Sequence, residues 1–228
     1  MKLRTIAAAL AAVVLLAAPY AGAGEDEVSV HEKLLAAKAD TVVNLKFVLK
    51  MQITMQGQTR DQEQNSEVRG VLIGDSGLVL TSNTNFGGIP ESVRRQYNLE
   101  VKATPVELKI LFSNEVEEYD AQLVARDSNL NLAFVQILDL KGREVKGVDL
   151  RTGVEPRVGR EIIGVSRMSR GFDCAPAVGR LFVTAKIEKP RAMWAVNGNF
   201  SALAHPVYNS DGQLVGILSI QEGSEGVS

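Results

Sequence analysis

Apolar positions along this chain fall mostly at a spacing of two, the period of a strand with one buried face. Val42, Val43, Leu45, Phe47, Leu49 and Met51 make a largely apolar strand ending at Gln52, and Val106, Leu108, Ile110 and Phe112 alternate with Glu107, Lys109 and Leu111. Val68 to Ile73 and Leu78 to Thr81 flank the turn Gly74-Asp75-Ser76-Gly77, which predicts a tight hairpin. Further strands are expected at Asp120 to Arg126, Leu132 to Leu138, Glu161 to Ser166, Arg180 to Ile187 and Leu214 to Ile220, the last preceded by the turn Asn209-Ser210-Asp211-Gly212. Ser29-Val30-His31-Glu32 has the capping-box spacing that opens a short helix through Leu34, Leu35, Ala36 and Ala37. The glutamine-rich segment Gln56 to Glu67 reads as a surface loop, as do residues 87 to 105 apart from a helical turn at Glu91 to Tyr97. Many short strands, frequent turns and hardly any helix predict an all-β sandwich or paired barrels.

Composition removes several function classes. The 228 residues are 45% hydrophobic and 23% charged, a globular balance that excludes disorder, collagen and coiled coil. With 5% aromatic residues and a net charge of −2 there is neither a basic footprint nor a stacking surface for nucleic acid. A single cysteine, Cys174, excludes an internal disulfide framework, and with only His31 and His205 beside it no His/Cys metal cluster is possible, so no cofactor is expected.

At the N-terminus Lys2 and Arg4 precede an apolar run from Ile6 to Ala18, then Pro19 and Ala21-Gly22-Ala23 ahead of acidic Gly24-Glu25-Asp26-Glu27. A basic start, a short apolar stretch and a small-residue cleavage site predict a signal peptide over residues 1–23. The run is too short to span a bilayer comfortably, so the mature chain is expected to be exported, periplasmic or extracellular, without a membrane span. The remainder divides into an N-terminal helix (24–40), a first β unit (41–138), a polar linker (139–150), a second β unit (151–222) and a flexible tail (223–228).

Two segments carry a family resemblance. Gly70-Val71-Leu72-Ile73-Gly74-Asp75-Ser76-Gly77-Leu78-Val79-Leu80-Thr81-Ser82-Asn83 resembles the first-barrel signature of trypsin-like serine proteases of the HtrA (Deg) type, in which the catalytic histidine follows the strand directly. Tyr119-Asp120-Ala121 through Asn131-Leu132-Ala133-Phe134-Val135 is similar to the family segment that carries the catalytic aspartate. Val158-Gly159, Val183-Thr184 and Pro206-Val207-Tyr208 through Gly216-Ile217 match more weakly, in family order. The resemblance implies two six-stranded β-barrels, a trypsin-like double barrel with a short N-terminal helix.

It also identifies which residues to test. Serine hydrolysis needs an imidazole to take the hydroxyl proton, a carboxylate to orient it and backbone donors for the oxyanion. The resemblance puts Thr84 at the histidine position, Asn131 at the aspartate position and, counting back from Pro206, Leu203 at the nucleophile position. A threonine hydroxyl is no base near neutral pH, an asparagine carries no charge and a leucine has no nucleophilic atom. A two-residue insertion before Pro206 would instead move the nucleophile position to Phe200 or leave Ser201 near it, with His205 four residues on; that histidine reads better as a turn or surface residue. Ser76 sits in Gly-Asp-Ser-Gly, but between two first-barrel strands, where those residues make a turn. Cys174 has no identifiable histidine partner and reads as a buried or loop thiol.

The expectation is an exported, catalytically inactive homologue of a trypsin-like protease, acting through binding of a protein or peptide. The alternative is a serine endopeptidase with a displaced site using Ser201. A third reading, a purely structural subunit, predicts that Phe200 or Leu203 plugs the former pocket. No motif specifies an oligomeric state.

Overall fold

The computed structural model describes residues 29–55, 57–89, 91–189 and 191–220. The expected signal peptide (1–23) and tail (223–228) lie outside the described residues. The capping box at Ser29 forms as its spacing predicts: Glu32 N–H donates to Ser29 Oγ at 3.3 Å and Ser29 N–H to Glu32 Oε2 at 2.8 Å. It starts α1 (Val30–Lys38), which a 3₁₀ turn (Ala39–Thr41) delivers into β1 (Val42–Met55).

β1 is joined by β2 (Gln58–Ile73), β3 (Leu78–Ser82), a short helix α2 (Glu91–Tyr97), β4 (Leu99–Phe112), β5 (Tyr119–Asp127) and β6 (Leu132–Ile137). These strands close into a barrel in the order β1-β2-β3-β6-β5-β4, with Val43 of β1 opposite Phe112 of β4 at the seam. The period of two separates the faces. Val43, Leu45, Phe47 and Leu49 point into the barrel with Leu72, Val79, Ile110, Ala133 and Val135, each of them but the alanine contributing about 1.5–3 kcal/mol when fully buried. Val42 and Val71 point outward into a second cluster with Leu34 of α1. Gly70 is required where β2 lies against β3, because a Cβ there would lie 2.7 Å from Val79 Cγ1 and 2.8 Å from the Leu80 carbonyl oxygen.

The second unit contains β7 (Glu161–Arg167), β8 (Pro176–Ile187), β9 (Met193–Gly198), β10 (Pro206–Tyr208) and β11 (Leu214–Ile217). Among the described residues they form a five-stranded sheet in the order β11-β10-β7-β8-β9, the half-barrel that accompanies the closed barrel in the expected double-barrel arrangement. Beyond β11 the pairing with the segment before β10 continues, Leu218 N–H bonding the His205 carbonyl at 2.9 Å, and Ser219 Oγ bonds the Leu130 carbonyl of the barrel at 2.5 Å.

The two units share an apolar seam in which Leu34 and Ala39 pack with Val42 and Val71 of the barrel and Ile163, Val165 and Tyr208 of the sheet. Beside it Arg167 is buried with its guanidinium satisfied by the Ala39 carbonyl (2.9 Å), the Cys174 carbonyl (3.0 Å) and Asp40 Oδ1 (2.6 Å). Cys174 is fully buried, its sulfur accepting from Asn44 Nδ2 at 3.2 Å, which makes it a packing residue.

Two segments read as loops are strand. Gln58–Glu67 pairs with β1 residue for residue, from Met55↔Gln58 to Lys46↔Glu67, yet its side chains are nearly all exposed. Backbone pairing without a buried face leaves no alternation to read. Leu99–Pro105 likewise lies opposite Met55–Leu49, and the irregularity between Lys46 and Val48 accommodates Glu107, whose φ is 54°.

Candidate functional site

β3 ends at Ser82, whose hydroxyl caps a 3₁₀ turn over Asn83–Phe86 and so presents Thr84 at the surface of the barrel. Facing it, Asp127 Oδ1 accepts from Leu130 N–H at 2.8 Å and shapes the β5–β6 turn that carries Asn131, which adopts φ 54°, a left-handed conformation asparagine tolerates well. The two turns are locked together. Thr84 N–H donates to Asn131 Oδ1 at 3.2 Å, Asn83 N–H donates to the Asn131 carbonyl at 3.1 Å, and Thr84 Oγ1 shares a hydrogen bond of 2.7 Å with Ser82 Oγ.

The second unit reaches the same place through the segment after β11. Ala204 N–H bonds the Leu218 carbonyl at 2.7 Å, Leu218 N–H bonds the His205 carbonyl, and Ser219 Oγ bonds the carbonyl of Leu130, the residue before Asn131. The segment holding Leu203 is thereby tied to the turn that holds Asn131 and Thr84. Leu203 is half-buried. Ser201 is exposed, and among the described residues its hydroxyl bonds to no histidine.

His205, expected in a turn or at the surface, is 2% exposed. Its Nδ1 lies 3.0 Å from the Leu203 carbonyl and its Nε2 3.3 Å from Ser166 Oγ. A carbonyl oxygen only accepts, so Nδ1 carries the proton and Nε2 accepts from the Ser166 hydroxyl. The imidazole is therefore fully used inside the half-barrel. Phe200 stacks edge-on to it, with ring centroids 6.3 Å apart, and fills the space above β7 and β8 where both strands carry glycine. A Cβ on Gly164 would meet the Phe200 ring at 2.3 Å, and one on Gly179 would lie 2.7 Å from Phe200 Cβ. The other histidine, His31, is on α1 with Nε2 3.6 Å from Glu161 Oε1 of β7. Ser76 is exposed in the β2–β3 turn.

The electrostatics follow from this burial. Desolvation pushes the His205 pKa down to about 4; the positive charge of Arg69 acts in the same direction and the Leu203 carbonyl opposes it. The unfolded chain takes up this proton below about pH 6.5, the folded one only near 4, so acid favours unfolding through that window. Unfolding free energy is expected to fall by up to about 3 kcal/mol between pH 6.5 and 4 on this account. Urea titrations of the wild type and His205→Gln at pH 7, 5.5 and 4.5 check it: their stability difference should shrink with acid, and parallel pH profiles would refute the assignment.

The arrangement positions a hydroxyl, an amide and an aliphatic side chain and supplies no base. Among the described residues no group of three or more His, Cys, Asp or Glu side chains could hold a metal ion, and no helix is long and apolar enough to cross a membrane. A cavity of about 200 Å³ is lined by Asn44, Arg69 and Ser169 and by none of Thr84, Asn131, Ser201 or Leu203. Sequence reading missed Ser82 and Ser166, whose hydroxyls hold Thr84 and His205; only the cap spacing of Ser82, two residues before Thr84, offered a signal.

No family model matches the chain, and no curated protein matches its sequence. Among solved structures it is similar to the crystal structure of Deg5, with a TM-score of 0.52 at 14% identity over 81% of each chain. At that identity the likeness speaks for the fold, a trypsin-like double barrel.

Proposed function

We propose that this protein is a trypsin-like serine protease homologue without hydrolytic activity, exported and working by binding a protein or peptide. The observation that carries the reading is the contact between Thr84 N–H and Asn131 Oδ1. Two turns come together where the resemblance puts the base and its orienting carboxylate, and they present a hydroxyl and a neutral amide. Leu203, at the nucleophile position of the same resemblance, has nothing to attack with. The imidazole next in sequence is buried and satisfied by Leu203 and Ser166. Phe200 over Gly164 and Gly179 takes up the room that an incoming side chain would need on that face of the sheet. Export rests on the N-terminal pattern of basic start, apolar run and Ala-x-Ala site.

One preparation tests both parts. Expressed in a secreting bacterial host, the protein is expected in the exported fraction with Gly24 as its first residue. It should neither react with a serine-directed fluorophosphonate nor cleave an unfolded protein above background. Cleavage by the wild type that Ser201→Ala abolishes would replace this reading by a serine endopeptidase using Ser201, and an intact Met1 on membrane-bound material would overturn export.

A further inference from the structure

Five arginines among the described residues are buried or half-buried: Arg69, Arg143, Arg167, Arg170 and Arg191. A guanidinium carries five N–H donors and a charge that is costly to bury unless it is paired and hydrogen-bonded. Three of the five meet that requirement inside the protein. Arg143 forks onto both carboxylate oxygens of Glu115 at 2.6 and 2.8 Å, Arg167 is held by Asp40 and two carbonyls, and Arg191 donates to the Asn129 carbonyl at 2.6 Å. Arg69 and Arg170 have no side-chain hydrogen bond or ion pair among the described residues, and both line the same cavity of about 200 Å³. Each unit contributes one of them, Arg69 from β2 and Arg170 from the loop between β7 and β8.

The chain fixes both places. Arg69 lies opposite Asn44 in the β1–β2 register, and its carbonyl accepts from Thr81 Oγ1 at 2.8 Å. The β7–β8 loop tightens into a 3₁₀ turn over Arg170–Phe172, followed by two left-handed residues, Asp173 (φ 54°) and Cys174 (φ 50°). Phe172 N–H and Cys174 N–H both bond the Ser169 carbonyl, at 2.8 and 3.2 Å, and burial of Cys174 against Asn44 pins the loop to the barrel. Asn44 also lines the cavity, but its amide nitrogen is spent on Ser113 and Cys174. The donors left for a guest are the two guanidinium groups and the Ser169 hydroxyl, which makes no bond of its own among the described residues. The other charge on the wall is Glu67, which is exposed, so two arginines and one glutamate leave the cavity with a net charge of +1.

We infer that this cavity binds a carboxylate group, held by Arg69 and Arg170 with the Ser169 hydroxyl, and that a peptide presents it. The planar fork of a guanidinium matches a carboxylate, and hydrogen bonds between the two ions are the strong kind. One carboxylate balances the net charge of the wall. A phosphate group, with about −1.5 to −2, overshoots that balance and is repelled by Glu67. The volume is well above the roughly 10–15 Å³ that admits one water, so a carboxylate enters with room for solvent. The carboxylate belongs to a glutamate or aspartate side chain or to a chain terminus, which present the same group. The site stands on the cavity itself; its use for a peptide rests on the binding role proposed above.

The test uses the full protein with isotope-labelled arginine, whose Nε–H resonances report each guanidinium separately. Two peptides are titrated at constant ionic strength and neutral pH: acetyl-Ala-Glu-Ala-amide, with a side-chain carboxylate only, and acetyl-Ala-Gln-Ala with a free C-terminus. At least one should give saturable shifts of Arg69 and Arg170 together while the exposed Arg60 and Arg157 stay in place, and the tighter of the two identifies the source of the carboxylate. Arg69→Gln and Arg170→Gln should each weaken binding about tenfold or more, the scale of one hydrogen bond to a charged group. Glu67→Gln should tighten it about twofold or more by removing a nearby like charge. The same peptide with phosphoserine in place of glutamate should bind the wild type more weakly. Denaturation midpoints monitor folding, and Arg170→Gln, on a loop, carries the test if Arg69→Gln unfolds. Absence of saturable shifts, shifts spread evenly over Arg60 and Arg157, binding unchanged by Arg170→Gln, or tighter binding of the phosphoserine peptide would overturn the site. Acetate binding as tightly as either peptide would overturn the peptide's part in it. A wild type that hydrolyses protein would sink the inactive reading and leave every one of these readouts standing.

Discussion

Introducing Thr84→His, Asn131→Asp and Leu203→Ser together with Ser201→Gly and Ala204→Gly is expected to create fluorophosphonate reactivity that the wild type and each single variant lack. A complete triad is worth on the order of 10⁶-fold in turnover, and its members act as a unit, so single restorations recover almost none of it. The scaffold supplies part of the geometry already. An aspartate at 131 would keep the acceptor that now holds Thr84 N–H, and a histidine at 84 would stand on the same capped turn. The glycines matter because Ala204 sits at φ 60°, a left-handed conformation that costs an alanine about 1–2 kcal/mol. Ala204→Gly alone should therefore stabilise the protein by about 1 kcal/mol, offset in part by the greater freedom of glycine in the unfolded chain. A gain in labelling of at least about 10²-fold in the five-substitution protein supports the register counted from Pro206, against a full-triad scale of 10⁶. A five-substitution protein that folds, as judged by its denaturation midpoint, and remains at wild-type labelling would reject that register.

Phe86→Ala is expected to cost about 3–5 kcal/mol, a large part of the stability of a domain this size. Phe86 closes the 3₁₀ turn that presents Thr84 and is fully buried in the barrel. Its ring meets that of Phe47 at 4.9 Å between centroids, and the Arg126 guanidinium lies 5.7 Å over it. Removing it leaves a cavity beside Phe47 in the barrel core that rigid strands cannot collapse into, and frees the turn that Asn131 holds. The urea midpoint should fall with little change in slope, and exchange at Asn83 and Thr84 should accelerate. Met55→Ala, at a half-exposed position on the β1 tip, should change stability by under about 0.5 kcal/mol. A loss below about 1 kcal/mol at Phe86 would mean that the turn is not anchored through this ring.

The alternation in Val43, Leu45, Phe47 and Leu49, the Gly74–Gly77 turn and the Ser29 capping box each produced the element they predicted, because each depends on neighbours within a few residues. The same local grammar missed the strand pairing of Gln58–Glu67 and Leu99–Pro105, where the ribbon has no fully buried face, and the short β9 and β10. By itself, then, the sequence determined the β architecture and the residue types at the candidate site: none of threonine, asparagine or leucine is a base near neutral pH. Tertiary structure alone decided which of them meet. The Thr84–Asn131 bond spans 47 residues, and the pairing of His205 with Ser166, which takes the imidazole out of solvent, spans 39. It also decided the order β11-β10-β7-β8-β9 of the second sheet, because that order depends on strands far apart in the chain finding one another and no local pattern records which do.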